Sequence, residues 1–287
     1  MIPSAFEYQR ATSIDDALAK LRAANGAGKL IAGGHSLVPL MKLRLSEPQV
    51  LIDIARVPGL SGIREAGGAI EIGAGTVHSD IAASALVREQ CPALAEAAAA
   101  IGDPQVRNRG TIGGSLAHAD PTADYPAVML AVDAELQVTG TSGTRTVKAN
   151  GFFQDLFTVD LAPDEIMTSI RCAPARASCY AKLHQRASHF AIVGVAAALL
   201  MKDGVIQSAR IGLTGAGPHA TRLTAAEEAL AGQALSLDVV RDAATLAGRD
   251  IEHVNVDLHA SAEYRRAMIP VFTRRALEGA MARAGGS

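Results

Sequence analysis

The 287-residue chain has no tryptophan, and its aromatic residues are limited to six Phe and four Tyr. Its core must therefore be packed largely by aliphatic side chains, alanine and glycine. It has only three cysteines, Cys91, Cys172 and Cys179, and none forms a Cys-x-x-Cys pair. That argues against a disulfide framework and against a zinc or iron–sulfur site built by this chain alone. The formal net charge is only −2, so no electrostatic footprint for nucleic acid or an anionic membrane is evident. The C-terminal arginines Arg265, Arg266, Arg274, Arg275 and Arg283 alternate with apolar residues at helical spacing. They read as a solvated helix face or a subunit contact. The longest apolar run, Phe190 to Met201, is too short to span a bilayer. The first ten residues lack the basic and apolar regions of a signal peptide. A cytoplasmic protein is expected. Neither Gly-x-Gly-x-x-Gly nor a Gly-Lys-Ser/Thr phosphate loop occurs, and no nucleophile elbow or histidine cluster with ligand spacing is present.

The length is enough for two domains of ordinary size, and about half of the residues are apolar, so a large core can be buried. Ser13 is placed to cap a first helix lined by Ile14, Ala17, Leu18 and Leu21 and ended by Asn25-Gly26. Lys29 to Ala32 reads as a strand running into Gly33-Gly34, and Ser36 as the cap of a short helix. Strands are expected over 50–54, 69–73 and 165–171, and a hairpin over 134–139 and 144–148. Helices are expected from Ser79 through Val87 and over 92–101. After a boundary at 174–178, strands 179–183, 190–201 and 205–214 follow, with a turn at Asp203-Gly204. Helices over 224–231, 237–247 and 262–284 end the chain, with Pro270 expected to kink or divide the last. The order is α+β, not a doubly wound parallel sheet.

Two segments carry the chemistry: Ala32-Gly33-Gly34-His35-Ser36 and Thr111-Ile112-Gly113-Gly114-Ser115. Each pairs two glycines with a small hydroxyl residue. Glycine lets successive backbone N–H groups converge on one concavity, and its missing β-carbon lets an anion approach. One such segment is usually a tight turn. Two suit the two phosphates of a dinucleotide.

These segments, together with the run Leu37 to Arg44, resemble the FAD-binding medium subunits of the xanthine dehydrogenase and carbon monoxide dehydrogenase family. So do Ile72-Gly73-Ala74 with Thr76, Gln105 to Asn108, Ala119-Asp120-Pro121 with Asp124, Tyr180-x-Lys182 and Glu263-Tyr264-Arg265. The resemblance covers essentially the whole chain. It implies a vanillyl-alcohol-oxidase-type FAD-binding domain of two subdomains, residues 1–55 and 56–176. A C-terminal α+β domain, 177–287, would carry a three-stranded antiparallel sheet with helices. FAD would be bound non-covalently, with Ala32, Gly33, Gly34, His35, Ser36 and Leu37, and Thr111, Ile112, Gly113, Gly114 and Ser115, around the pyrophosphate. Thr76, Ile101 and Gly102 would lie against the cofactor, Asp124 on its ribityl or ribose portion, Ile166 and Met167 beside the isoalloxazine ring, and Lys182 at the ring's polar edge. Read from the residues alone, Lys182 can also be a strand-end lysine, Asp124 a helix cap before Tyr125-Pro126, and His35 and His78 structural.

The resemblance further implies a partner large subunit with the molybdenum cofactor and a small subunit with two [2Fe–2S] clusters, assembled as a dimer of heterotrimers. Electrons would leave through this chain's FAD to an external acceptor, with no catalytic side chain and no metal on this chain. Its cysteines are too dispersed for the extra cluster that some relatives carry, and Ser115 stands where the family often has Asn. Two rivals are a self-sufficient flavin reductase or oxidase of the same fold and a non-redox dinucleotide-binding module.

Overall fold

The computed structural model describes residues 2–284, which form three sheets and a small two-stranded ribbon. In the first sheet Val50–Asp53 is central and parallel to both Glu7–Arg10 and Gly28–Ile31. Helix Ile14–Ala23 makes one crossover. Ser13 Oγ accepts the Asp16 N–H at its start, and Ala17, Leu18 and Leu21 are its buried face. The second sheet is antiparallel, in the order Ile63–Ala66, Ala69–Gly73, Ile166–Cys172, Glu135–Gly140, Gly143–Lys148. Ile70 and Ile72 turn one face of it inward, as strand alternation requires.

The C-terminal sheet is antiparallel and holds the three expected strands as Ser178–His184, Ala191–Lys202 and Val205–Thr214. A short fourth, Thr221–Arg222, is added at its edge. Asp203 and Gly204 both take left-handed φ, 53° and 76°, which is what a two-residue hairpin turn requires. One face carries Cys179 and Ala181 and is covered by helices Thr224–Leu230, Leu237–Leu246 and Ala262–Ala284. The last helix runs undivided through Pro270, so of the expected kink or division the division does not occur.

The opposite face of that sheet meets the N-terminal part of the chain. Helix Tyr125–Ala131 lies between them with all seven residues buried. Gly212 allows this contact, because a β-carbon there would stand 2.0 Å from the Ala127 carbonyl oxygen.

Three local expectations are corrected. The helix from Ser79 through Val87 is two helices, His78–Ala83 and Ala85–Gln90. Ser84 leaves helical geometry between them (ψ 121°), and its Oγ caps the second. Ser36 makes no side-chain cap, since its backbone is already helical at ψ −51°. The second glycine pair is not a turn: Gly113 and Gly114 lie in the first turn of helix Ile112–His118, capped by Thr111.

Candidate functional site

The first glycine segment is a loop between strand Gly28–Ile31 and helix Leu37–Lys42. Gly34 takes a φ of 73°, which turns the chain sharply. The loop is short of internal acceptors. Gly33 O receives His35 Nδ1 at 2.9 Å and Gly34 O receives the Val38 N–H. Among the described residues, the N–H groups of Gly33, Gly34, His35, Ser36 and Leu37 find no acceptor within the chain. Backbone donors left free in a run are matched by an anion with several oxygens.

The second segment is built differently. The N–H groups of Ile112, Gly113, Gly114 and Ser115 are taken by Thr76 O, Ala74 O, Thr111 Oγ1 and Thr111 O. Ile112 and Gly113 are buried, and a β-carbon at Gly113 would meet the Ala74 β-carbon at 2.5 Å. Only Gly114 is exposed, with Ser115 half-buried beside it. Thr76 is buried, its hydroxyl bonded to Gly62 N and O at 2.9 and 3.1 Å. This segment therefore anchors the helix against the 74–76 loop and offers a ligand the open surface over Gly114.

The two segments are brought together through the residues that precede the second. A β-carbon at Gly33 would stand 2.1 Å from Arg109 O and 2.8 Å from Gly110 Cα. Behind Gly110 lies His78, whose Nε2 would be 2.5 Å from a β-carbon at 110. His78 is buried, and Tyr125 Oη is 3.1 Å from its Nδ1. Burial lowers its pKa to about 4, with further lowering from His35 and Arg107 nearby. It is therefore a neutral imidazole at pH 7.

Beyond Gly110 the loop leads back to a second cluster. Arg107 Nη1 donates to the carbonyls of Ile101 and Gly102, both at 2.9 Å. Arg107, Gly102, Tyr180, Lys182, His184 and His189 line a cleft of about 570 Å³. Lys182 Nζ lies 2.8 Å from Asp124 Oδ1 and donates to Ala100 O at 3.0 Å. Tyr180 Oη donates to Asp124 Oδ1 at 2.5 Å. Asp124 is buried, and desolvation raises its pKa against the lowering pull of Lys182 and Tyr180. Its carboxylate makes no capping bond for helix Tyr125–Ala131. Ile166 and Met167 are both buried, beside a β-bulge that ends at Ser169.

Ala32 to Leu37 thus sit beside Arg109 and Gly110, and Asp124, Lys182 and Ala100 form one cluster at the end of helix Pro92–Ala100. The 101–110 loop runs from one to the other. The sequence reading did not nominate Tyr180, Arg107 or the Ala100 carbonyl. Tyr180 was accessible to it, because residues two apart on a strand share a face. Among the described residues, no group of three His, Cys, Asp or Glu side chains is placed to hold a metal, and no helix is long and apolar enough to cross a membrane.

Residues 4–173 match the FAD-binding domain of molybdopterin dehydrogenases, and residues 178–280 match the C-terminal domain of carbon monoxide dehydrogenase flavoproteins. The chain is 42% identical to the carbon monoxide dehydrogenase medium chain of Hydrogenophaga pseudoflava, over 99% of both chains. It is 36% identical to the nicotine 6-hydroxylase medium subunit of Paenarthrobacter nicotinovorans, over 97% of this chain and 98% of that one. A solved structure of carbon monoxide dehydrogenase from Hydrogenophaga pseudoflava superimposes with a TM-score of 0.94 at 44% identity, covering 99% of each chain. The run of free N–H groups after strand Gly28–Ile31 and the glycine contacts around it suit FAD, the cofactor of the matched domain. The chain belongs to the FAD-binding medium subunits of the carbon monoxide dehydrogenase and xanthine dehydrogenase type of molybdenum hydroxylases.

Proposed function

We propose that this chain relays electrons through a non-covalently held FAD, from two [2Fe–2S] clusters on a small partner subunit to an external acceptor. A large partner subunit would hold the molybdenum cofactor and the substrate, in a cytoplasmic dimer of heterotrimers. FAD, when bound, supplies the capacity to take up a pair of electrons and pass them on. The protein's part is to bind it, orient it and set its electrostatic surroundings.

The run of free N–H groups from Gly33 to Leu37 carries the placement of the pyrophosphate. On this reading Ala32 adjoins that run, and Thr111 to Ser115 present the surface over Gly114 to the same group. Thr76 supports them from behind through the Ile112 N–H. The cleft beside Lys182 would take the flavin ring, with Gly102 on its wall and Ile101 next to it in the chain. Asp124, expected on the ribityl or ribose portion, has its carboxylate engaged by Lys182 and Tyr180 and would bear on the cofactor through Lys182. The buried Ile166 and Met167, expected beside the isoalloxazine ring, would support it from the sheet. The same reading divides the chain into 1–55, 56–176 and 177–287. No proton-transfer pair is required on this chain, because it makes and breaks no bond to substrate.

The absorption spectrum of the purified protein tests the cofactor placement. Flavin bands are expected, and they should be lost from a variant with Gly34→Val, whose β-branched side chain is incompatible with a φ of 73°. Stoichiometric flavin in that variant would refute the placement at the first glycine segment. Reduction of the flavin by substrate only when the iron–sulfur partner is present tests the electron path.

A further inference from the structure

The Asp124 carboxylate is held by two residues of one strand. Tyr180 and Lys182 are two apart on Ser178–His184 and so project from the same face. The neighbouring strand is fitted to Tyr180. Gly194 pairs with Lys182 in the register, and a β-carbon there would stand 2.3 Å from Tyr180 Oη. Glycine weakens a strand interior and has no side chain to pack. Here its absence of side chain leaves the space in which the hydroxyl reaches Asp124. An ammonium has three hydrogens. Asp124 and Ala100 O take two of those on Lys182, and the residue lines the cleft.

We propose that Tyr180 is a positioning residue of the flavin site, acting through Asp124 to set how much of the Lys182 charge bears on the cleft. The proposal rests on the flavin ring occupying that cleft. The hydroxyl donates to Oδ1 and takes up part of the carboxylate's charge, so less of it is directed at Lys182. It also fixes the carboxylate's orientation, and with it the side of the cleft on which the ammonium stands. Without the hydroxyl, Asp124 is left with Lys182 as its one side-chain partner and neutralises it more fully. A cation beside the ring favours the more negative, reduced form of the flavin. Weakening that cation lowers the flavin's potential.

Redox titration of the flavin absorbance in the purified protein reads this directly. Lys182→Gln is expected to lower the potential, and Tyr180→Phe to lower it by a smaller step. Gly194→Ala should do the same with the hydroxyl still present, because it forces the hydroxyl away from Asp124. In the Tyr180→Phe, Lys182→Gln double variant the potential should fall no further than with Lys182→Gln alone, since the effect passes through Lys182. Wild-type potentials in both Tyr180→Phe and Gly194→Ala would overturn the proposal. So would a Tyr180→Phe shift of equal size with and without Lys182. An unchanged potential in Lys182→Gln would instead remove the ring from this cleft, and the inference would fall with that placement.

Discussion

Gly33 lies against the backbone of Arg109, so closely that a β-carbon at 33 would stand 2.1 Å from that carbonyl oxygen. Two loops far apart in sequence are thereby held in direct contact, and the contact tolerates no side chain on one partner.

Gly33→Ala is therefore expected to destabilise the protein before it affects any ligand. Overpacking against backbone costs about 1–3 kcal/mol, visible as a lower melting temperature with or without FAD. Gly114→Ala meets only Thr111 Oγ1, at 2.8 Å. Its melting temperature without FAD should fall by less than that of Gly33→Ala, since only the capping hydroxyl has to shift, with the larger effect on flavin retention. Equal melting temperatures for the wild type and Gly33→Ala would contradict the packing described.

The His78 imidazole has a folded pKa of about 4 against an ordinary value of 6.5. Between these values the unfolded chain binds a proton that the folded chain does not. The contribution is complete above pH 6.5, is lost as pH falls from 6.5 to 4, and amounts to about 3 kcal/mol. Asp124 opposes it: its folded pKa is raised, so its contribution is lost as pH rises. Denaturant titrations from pH 7 to 4 should show a shallower acid loss in His78→Gln than in the wild type. Parallel curves would assign the acid loss to other groups.

Asp124 and Lys182 have side chains only 5% and 6% exposed. Asp124→Ala leaves the ammonium without its partner in a buried site, and a loss of about 3–5 kcal/mol is expected. Asp124→Leu combined with Lys182→Met should recover part of that loss, because the pair's own attraction is largely offset by desolvation, while the Tyr180 hydroxyl and the Ala100 carbonyl lose their partner. Urea unfolding of the single and double variants measures both. A double variant less stable than Asp124→Ala would refute this account.

Removing FAD should lower the melting temperature, and adding it back should restore it in proportion to the logarithm of its concentration. At about 100 times the dissociation constant the gain is about 2.7 kcal/mol. Calorimetry of the stripped protein, titrated with FAD, gives both the gain and the affinity.

Much of this was legible in the sequence, because the central elements carry the strongest patterns. The turn at Asp203-Gly204 and the capped helix Ile14–Ala23 are fixed by local chemistry that no distant contact overrides. Glu7–Arg10 and Ile63–Ala66 left no such signal. Both are edge strands, largely exposed, and alternation fades where neither face is fully buried. The two glycine pairs looked alike in sequence and differ in the structure. Thr111, in extended geometry at ψ 152°, caps a helix through its own side chain, whereas Ser36, already helical at ψ −51°, does not. The Ala74 and Thr76 carbonyls, arriving from elsewhere in the chain, take up the Gly113 and Ile112 N–H groups of the second pair alone. Asp124 and Lys182 were found from the motif, but their direct pairing depends on the C-terminal sheet packing onto the first part of the chain.

Helix Tyr125–Ala131 has no solvent face, being closed on one side by the FAD-binding core and on the other by the C-terminal sheet at Gly212. Neither half can come apart without wetting the other's interior. The two family-matched regions should then melt in a single transition, and a fragment ending near residue 173 would expose an apolar helix as an aggregation seed. Asp124, at the head of that helix, and Lys182, on the sheet that covers it, are registered to each other by the same contact. On the flavin placement proposed above, loosening of the two halves would also change the colour of the flavin.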